Sequence, residues 1–151
     1  METIQNYMTA EHKSCDSIYA HLEEAILDED QGAAREYGKN FFNELNIHLK
    51  REEEVLFPAF EEVSGSQMGP THVMKMEHTQ IREMLKKIQE LTDTTITKES
   101  KKKLSGLLET LMILMQQHNM KEEQILYPMA DRALDSNCEN IISAMKQIQH
   151  V

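Results

Sequence analysis

His48 and Glu52 stand four residues apart, and so do His118 and Glu122, seventy residues further on. Each pair opens the same run, with Leu eight, an aromatic nine and Pro ten residues after the His: His48 to Leu56-Phe57-Pro58, and His118 to Leu126-Tyr127-Pro128. A smaller echo lies upstream of each run, Glu11-His12 and Glu77-His78. Four imidazoles and two carboxylates recur in a duplicated pattern. Such donors, without a thiolate, suit iron, zinc, manganese or copper. Six of them are too many for one tetrahedral zinc. They suit two ions that share Glu52 and Glu122 as bridges, each ion also holding two His, with one or two positions left for oxo, hydroxo, water or a small gas.

The faces on which these residues fall strengthen the reading. Residues three and four apart are neighbours on a helix. The stripe Phe41, Leu45, His48, Glu52, Val55, Leu56, Ala59 keeps the spacing of a core-facing side. Leu107, Leu111, Leu114, Met115, His118, Glu122, Ile125, Leu126, Met129 repeats it. A carboxylate on a buried face costs several kcal/mol unless a cation or hydrogen bonds compensate it. Glu53, Glu54 and Glu123 fall off the stripes and are expected in solvent. His12 and His78 sit on two further stripes, Ile4, Met8, His12, Cys15, Tyr19, Leu22, Ile26 and Met74, His78, Ile81, Leu85, Ile88.

Helices must carry all of this. The pattern predicts helices near 4 to 28, 33 to 63, 71 to 92 and 98 to 134. Breaks fall at Asp28 to Gly32, Ser64 to Gly69 and Thr92 to Thr97, with Pro70 suited to a first turn. Pro58 is expected to kink the second helix just beyond Glu52. A short amphipathic tail, Ile141, Ile142, Met145, Ile148, is expected to pack across the others. No strand-length alternation is present. The fold class is therefore all-α, an antiparallel up-down-up-down four-helix bundle with a short C-terminal helix, forming one metal-binding domain over 1 to 151.

Composition narrows the function. At 151 residues, 40% apolar and 28% charged, the chain is long enough for one hydrophobic core and unlike a disordered one. A net charge of -10 excludes nucleic acid and anionic membrane as partners, since both are bound through Lys and Arg. No apolar run reaches the roughly 20 residues of a membrane span. The first residues lack signal-peptide blocks, so a cytoplasmic location is expected. Cys15 and Cys138 form no Cys-x-x-Cys and suggest neither disulfide nor thiolate zinc.

Other residues have plainer roles. His21, His72 and His150 lie off the stripes. Asp16, one turn after His12, could orient an imidazole, but a solvated Asp is the simpler expectation. Cys15 shares the His12 face, where a buried free thiol acts as a small hydrophobe. Tyr7, Tyr19 and Tyr127 are candidates to line the pocket or ligate weakly, with core packing the ordinary role.

The paired His-x-x-x-Glu runs ending in Leu-aromatic-Pro, with one His on each other helix, resemble the hemerythrin-like (HHE cation-binding) family of non-haem di-iron proteins. That resemblance implies His12, His48, Glu52, His78, His118 and Glu122 as ligands of two iron ions, oxo- or hydroxo-bridged, with zinc or manganese as stand-ins in a purified sample. Oxygen carriers of that family have a fifth His where this chain has Met74, and His-x-x-x-x-Asp where it has His118-x-x-x-Glu122. The set is more similar to the di-iron domain of the repair-of-iron-centres proteins. It implies reaction with O2, nitric oxide or peroxide, and iron donation or iron-sulfur cluster repair under nitrosative or oxidative stress, with iron-sulfur proteins as partners. A second reading is an oxygen-binding or redox-sensing module acting through a separate protein. A metal-free bundle is the third.

Overall fold

The computed structural model of the chain describes residues 2–151. Among them no strand occurs, and four long helical rods pack into an antiparallel bundle. The first rod is α1, Ile4–Leu27. The second consists of α2, Gln31–Arg51, a π-turn at Glu52–Leu56, and α3, Phe57–Ser64. The third is α4, Pro70–Thr92. The fourth joins α5, Lys98–Lys121, through a second π-turn, Glu122–Leu126, to α6, Tyr127–Leu134. A short helix, α7, Cys138–Lys146, packs against the first π-turn and α1.

Helix ends follow local chemistry. The Thr3 hydroxyl accepts from the Asn6 amide and the Asp30 carboxylate from that of Ala33, while Thr97 and Ser100 form a reciprocal capping box. Pro70 begins α4, where a missing N–H is harmless. Gly65 ends α3 with φ of 73°, a conformation that spares a residue without Cβ.

Adjacent rods meet in a ring, α1 with α2, α2 with α4, α4 with α5, and α5 with α1. Their buried side chains form two apolar clusters. One holds Tyr19, Leu22, Phe41, Leu45, Ile81, Leu85, Leu111 and Met115. The other holds Ile4, Met8, Leu56, Phe57, Met74, Leu126, Tyr127 and the inner face of α7. On every rod the candidate His lies between a residue of one cluster and a residue of the other. A polar layer therefore crosses the middle of an otherwise dry core.

The second and fourth rods correct one expectation, the burial of the residues beyond each Glu. Just before Pro58 the chain widens into a π-turn, in which the Phe57 amide donates to the Glu52 carbonyl five residues back. Proline removes a donor and crowds the carbonyl one turn earlier, and a locally widened helix relieves both. Pro128 has the same effect after Glu122. Each π-turn absorbs one extra residue, so the buried face advances by one. Leu56, Phe57 and Phe60 are buried where Val55, Leu56 and Ala59 were expected. Likewise Leu126, Tyr127 and Ala130 are buried, while Ile125 is 54% exposed.

Candidate metal centre

The polar layer contains His12, His48, Glu52, His78, His118 and Glu122, all buried, with both carboxylates fully so. The imidazoles form two pairs, His12 with His48 at 4.8 Å between ring centroids and His78 with His118 at 5.0 Å. Each carboxylate lies between the pairs. Glu122 Oε1 is 3.1 Å from His12 Nε2 and 3.2 Å from His118 Nε2. Glu52 Oε1 is 3.1 Å from His78 Nε2 and 3.5 Å from His48 Nε2. Facing helices thus bring together all six residues that sequence spacing singled out.

Every outer imidazole nitrogen has its own carboxylate. His48 Nδ1 donates to Glu11 at 2.9 Å, His118 Nδ1 to Glu77 at 2.8 Å, His78 Nδ1 to Glu53 at 2.7 Å, and His12 Nδ1 to Glu123 at 2.6 Å. With Nδ1 committed to donation, each Nε2 faces inward as the atom left to bind a cation once its proton is displaced, the arrangement that orients and strengthens metal-binding imidazoles. Glu53 and Glu123 are therefore not the solvated residues the stripes suggested. The doublets Glu11-His12, Glu77-His78, Glu52-Glu53 and Glu122-Glu123 carry the signal. Neighbours on a helix diverge by about 100°, so one member faces the core and the other reaches the seam with the next rod.

The outer carboxylates are held in turn. Arg51 and Lys121 pair with Glu11 and Glu77, and Arg82 makes two bonds to Glu53. Arg51 also donates to the Ile148 carbonyl in the C-terminal tail. Asp16 is exposed, and the acceptor for His12 is Glu123 rather than Asp16. Cys15 is buried, and burial followed by the charge of Glu11 pushes its thiol up to about 12, which suits a packing role. Tyr19 donates to the Leu108 carbonyl within the apolar cluster, and His21 stacks on Tyr37. Among the described residues the clustered donors include none of His21, His72 and His150. Tyr127 alone of the tyrosines enters the layer, its hydroxyl donating to Glu52 Oε2 at 2.7 Å.

In the metal-free protein, protons balance these charges. Burial pulls His12 down, but Glu122 and then Glu123 outweigh it and lift the imidazole from 6.5 to about 9. His78 rises to about 9 as well, Glu52 and Glu53 overcoming burial. Burial, then the neighbouring Glu122 charge, raises Glu52. Burial pushes Glu122 the same way, yet its hydrogen bond with Glu52 and the His118 charge hold it well below the usual range. Glu53 falls to about 2, His78 and Arg82 prevailing over burial.

The donors fit cations. Five buried polar atoms here lack a hydrogen bond: His48 Nε2, Glu52 Oε1, His78 Nε2, His118 Nε2 and Glu122 Oε2. Orphaned buried polar atoms are costly and rare in a native core. A ligand atom from each of Glu52, His78, His118 and Glu122 lies within 4.8 Å of the others, and so does one from each of His12, His48 and Glu122.

The hemerythrin HHE cation binding domain family matches residues 3–130, and the chain belongs to it. Among curated proteins it is 36% identical over 93 residues to the iron-sulfur cluster repair protein YtfE of Escherichia coli O81 (strain ED1a), covering 58% of this chain and 42% of that protein. The YtfE proteins of E. coli O1:K1 / APEC and Escherichia fergusonii are 34% identical over the same length and shares. The alignment spans less than half of these relatives. No solved structure matches the chain. No helix among the described residues is long and apolar enough to cross a membrane.

Proposed function

We propose that this chain holds two iron ions through His12, His48, Glu52, His78, His118 and Glu122, and that it supplies iron for the repair of iron-sulfur clusters under nitrosative or oxidative stress. The observation that carries the reading is the layer of orphaned Nε2 and carboxylate atoms, enclosed between two apolar clusters. The names of the curated relatives support repair as the setting. Bound iron would supply Lewis acidity and a redox couple open to O2, nitric oxide or peroxide.

The protein's own part is to orient, to exclude and to compensate. Glu11, Glu53, Glu77 and Glu123 keep the Nδ1 protons and so fix the ring planes. Leu56, Phe57, Met74 and Leu126 on one side, and Leu111 and Met115 on the other, keep bulk water from the layer. Glu52 and Glu122, each placed between the two imidazole pairs, are positioned to be shared by both ions. Metal uptake must then displace the protons that His12 and His78 hold.

Metal analysis of protein purified without oxygen should find two iron per chain. Mixing with an apo iron-sulfur protein should then restore its cluster absorption as the bundle loses iron. Retention of both ions after prolonged mixing would overturn donation, and a chain that takes up no metal would overturn the centre itself.

A further inference from the structure

The two halves of the centre correspond residue by residue, His12 with His78, His48 with His118 and Glu52 with Glu122, and at one position the correspondence fails. Phe57 and Tyr127 hold the equivalent place, nine residues after His48 and His118, and both are fully buried. Phe57 lays its ring on His78, centroids 5.5 Å apart, and adds no donor atom. Tyr127 brings an oxygen. Its hydroxyl lies 3.1 Å from His12 Nε2 and donates to Glu52 Oε2.

The metal-binding atoms divide unequally in the complementary sense. Glu52, His78, His118 and Glu122 make a group of four, and His12, His48 and Glu122 a group of three. The phenol stands beside the shorter group. It accompanies the one Nε2 of the four that has hydrogen-bond partners.

We propose that Tyr127 is a seventh protein donor, binding through its phenolate oxygen the ion held by His12, His48 and Glu122, so that the two ions are chemically distinct. The inference rests on the metal-binding reading above. As the ion arrives, the phenol O–H bond breaks and a metal–oxygen bond forms, and the proton leaves for solvent by way of Glu52 Oε2, the acceptor it already faces. No electron is transferred. A strong cation reverses the preference of a buried acid for its neutral form. A phenolate is a hard anionic oxygen, so the His12 half favours the more highly charged ferric ion. A buried Tyr also needs a hydrogen-bond partner, which Tyr19 finds in a backbone carbonyl. Tyr127 differs in finding its partner among the clustered donors.

The test compares ferric-loaded wild type with Tyr127→Phe, which installs the side chain found at position 57. The wild type should show a visible phenolate-to-iron charge-transfer band, and excitation there should enhance tyrosine ring modes in the resonance Raman spectrum. The variant should lose both, and one of its two ions should bind about 10- to 100-fold more weakly while the other is unchanged. Superimposable spectra and unaltered affinities would overturn the proposal. If the variant does not fold, the wild-type Raman spectrum decides alone, ring modes supporting the assignment and their absence overturning it. A wild type that takes up two ions without a tyrosine signature sinks this inference only, whereas one that takes up no metal sinks the metal-binding reading and this inference together.

Discussion

The half built on His12 and His48 and the half built on His78 and His118 share a plan and differ in their supports. In both, a Glu-His doublet and a Glu-Glu doublet place one residue in the layer and one at a seam between rods. The carboxylates outside are backed differently. Glu11 and Glu77 have Arg51 and Lys121, but Glu53 has Arg82 where the equivalent position beside Glu123 is Asp16. Duplication explains the shared donors. If the proposed two-ion centre forms, these differences make unequal affinity of the two halves the expectation.

The largest break in that equivalence should come from the carboxylates themselves. Both carboxylates lie between the imidazole pairs, but Glu122 enters both donor groups and Glu52 only one. Glu122→Gln should therefore lower the metal content of both halves, and Glu52→Gln should lower that of the His78 half more than that of the other, as read by metal content per chain. Equal losses in the two variants would contradict this asymmetry.

Next in size are the outer carboxylates. Glu11→Ala and Glu77→Ala should each weaken metal binding by about 10- to 100-fold, measured by competition with a chelator. The Glu11 variant should be the more affected, because the Arg51 side chain is 16% exposed and Lys121 47%. An equal or reversed order would place the difference between the halves elsewhere.

Acidity should sharpen the comparison further. In the metal-free protein His12 and His78 have folded-state pKa values near 9, raised from 6.5. A raised imidazole stabilises the fold fully below the lower value, and that contribution disappears as pH climbs through the higher one. The melting temperature of metal-free protein should fall between pH 6.5 and about 9. Metal affinity should rise over the same interval, as fewer protons need displacing. A flat metal-free profile would show that these imidazoles gain no stabilising charge. The smallest effect belongs to Arg82→Ala. A half-exposed ion pair contributes up to about 1 kcal/mol, so affinity at the His78 half should change by about fivefold or less.

Much of this molecule was legible in its sequence, and the failures have two causes. The stripes of α1 and α4 run without interruption, and every residue assigned to them is buried. His12, His48, Glu52, His78, His118 and Glu122 were found because a polar residue inside an apolar stripe is conspicuous. Beyond Glu52 and Glu122 the buried face lies one residue further on than regular spacing gives. A pitch of 3.6 residues per turn does not carry through two prolines that the chain accommodates by widening the helix. Regular spacing would bury Ile125, which is 54% exposed, and would turn the fully buried Tyr127 off the core-facing stripe. The roles of Glu53 and Glu123 were missed for another reason. A stripe describes one helix, whereas their partners His78 and His12 belong to others.

The widened turns also bear on how the chain tolerates changes in length. Losing one amino acid from the middle of an ordinary helix rotates all that follows by about 100°, carrying inward groups toward solvent. Glu54 and Gln124 are exposed and lie inside segments that already contain a residue too many for regular pitch. Omitting either, with Pro58 or Pro128 replaced so that regular pitch is tolerated, would leave the downstream half of its rod aimed as before, on conventional spacing. Shortened versions of this domain are thus best accommodated at the two places closest to its chemistry.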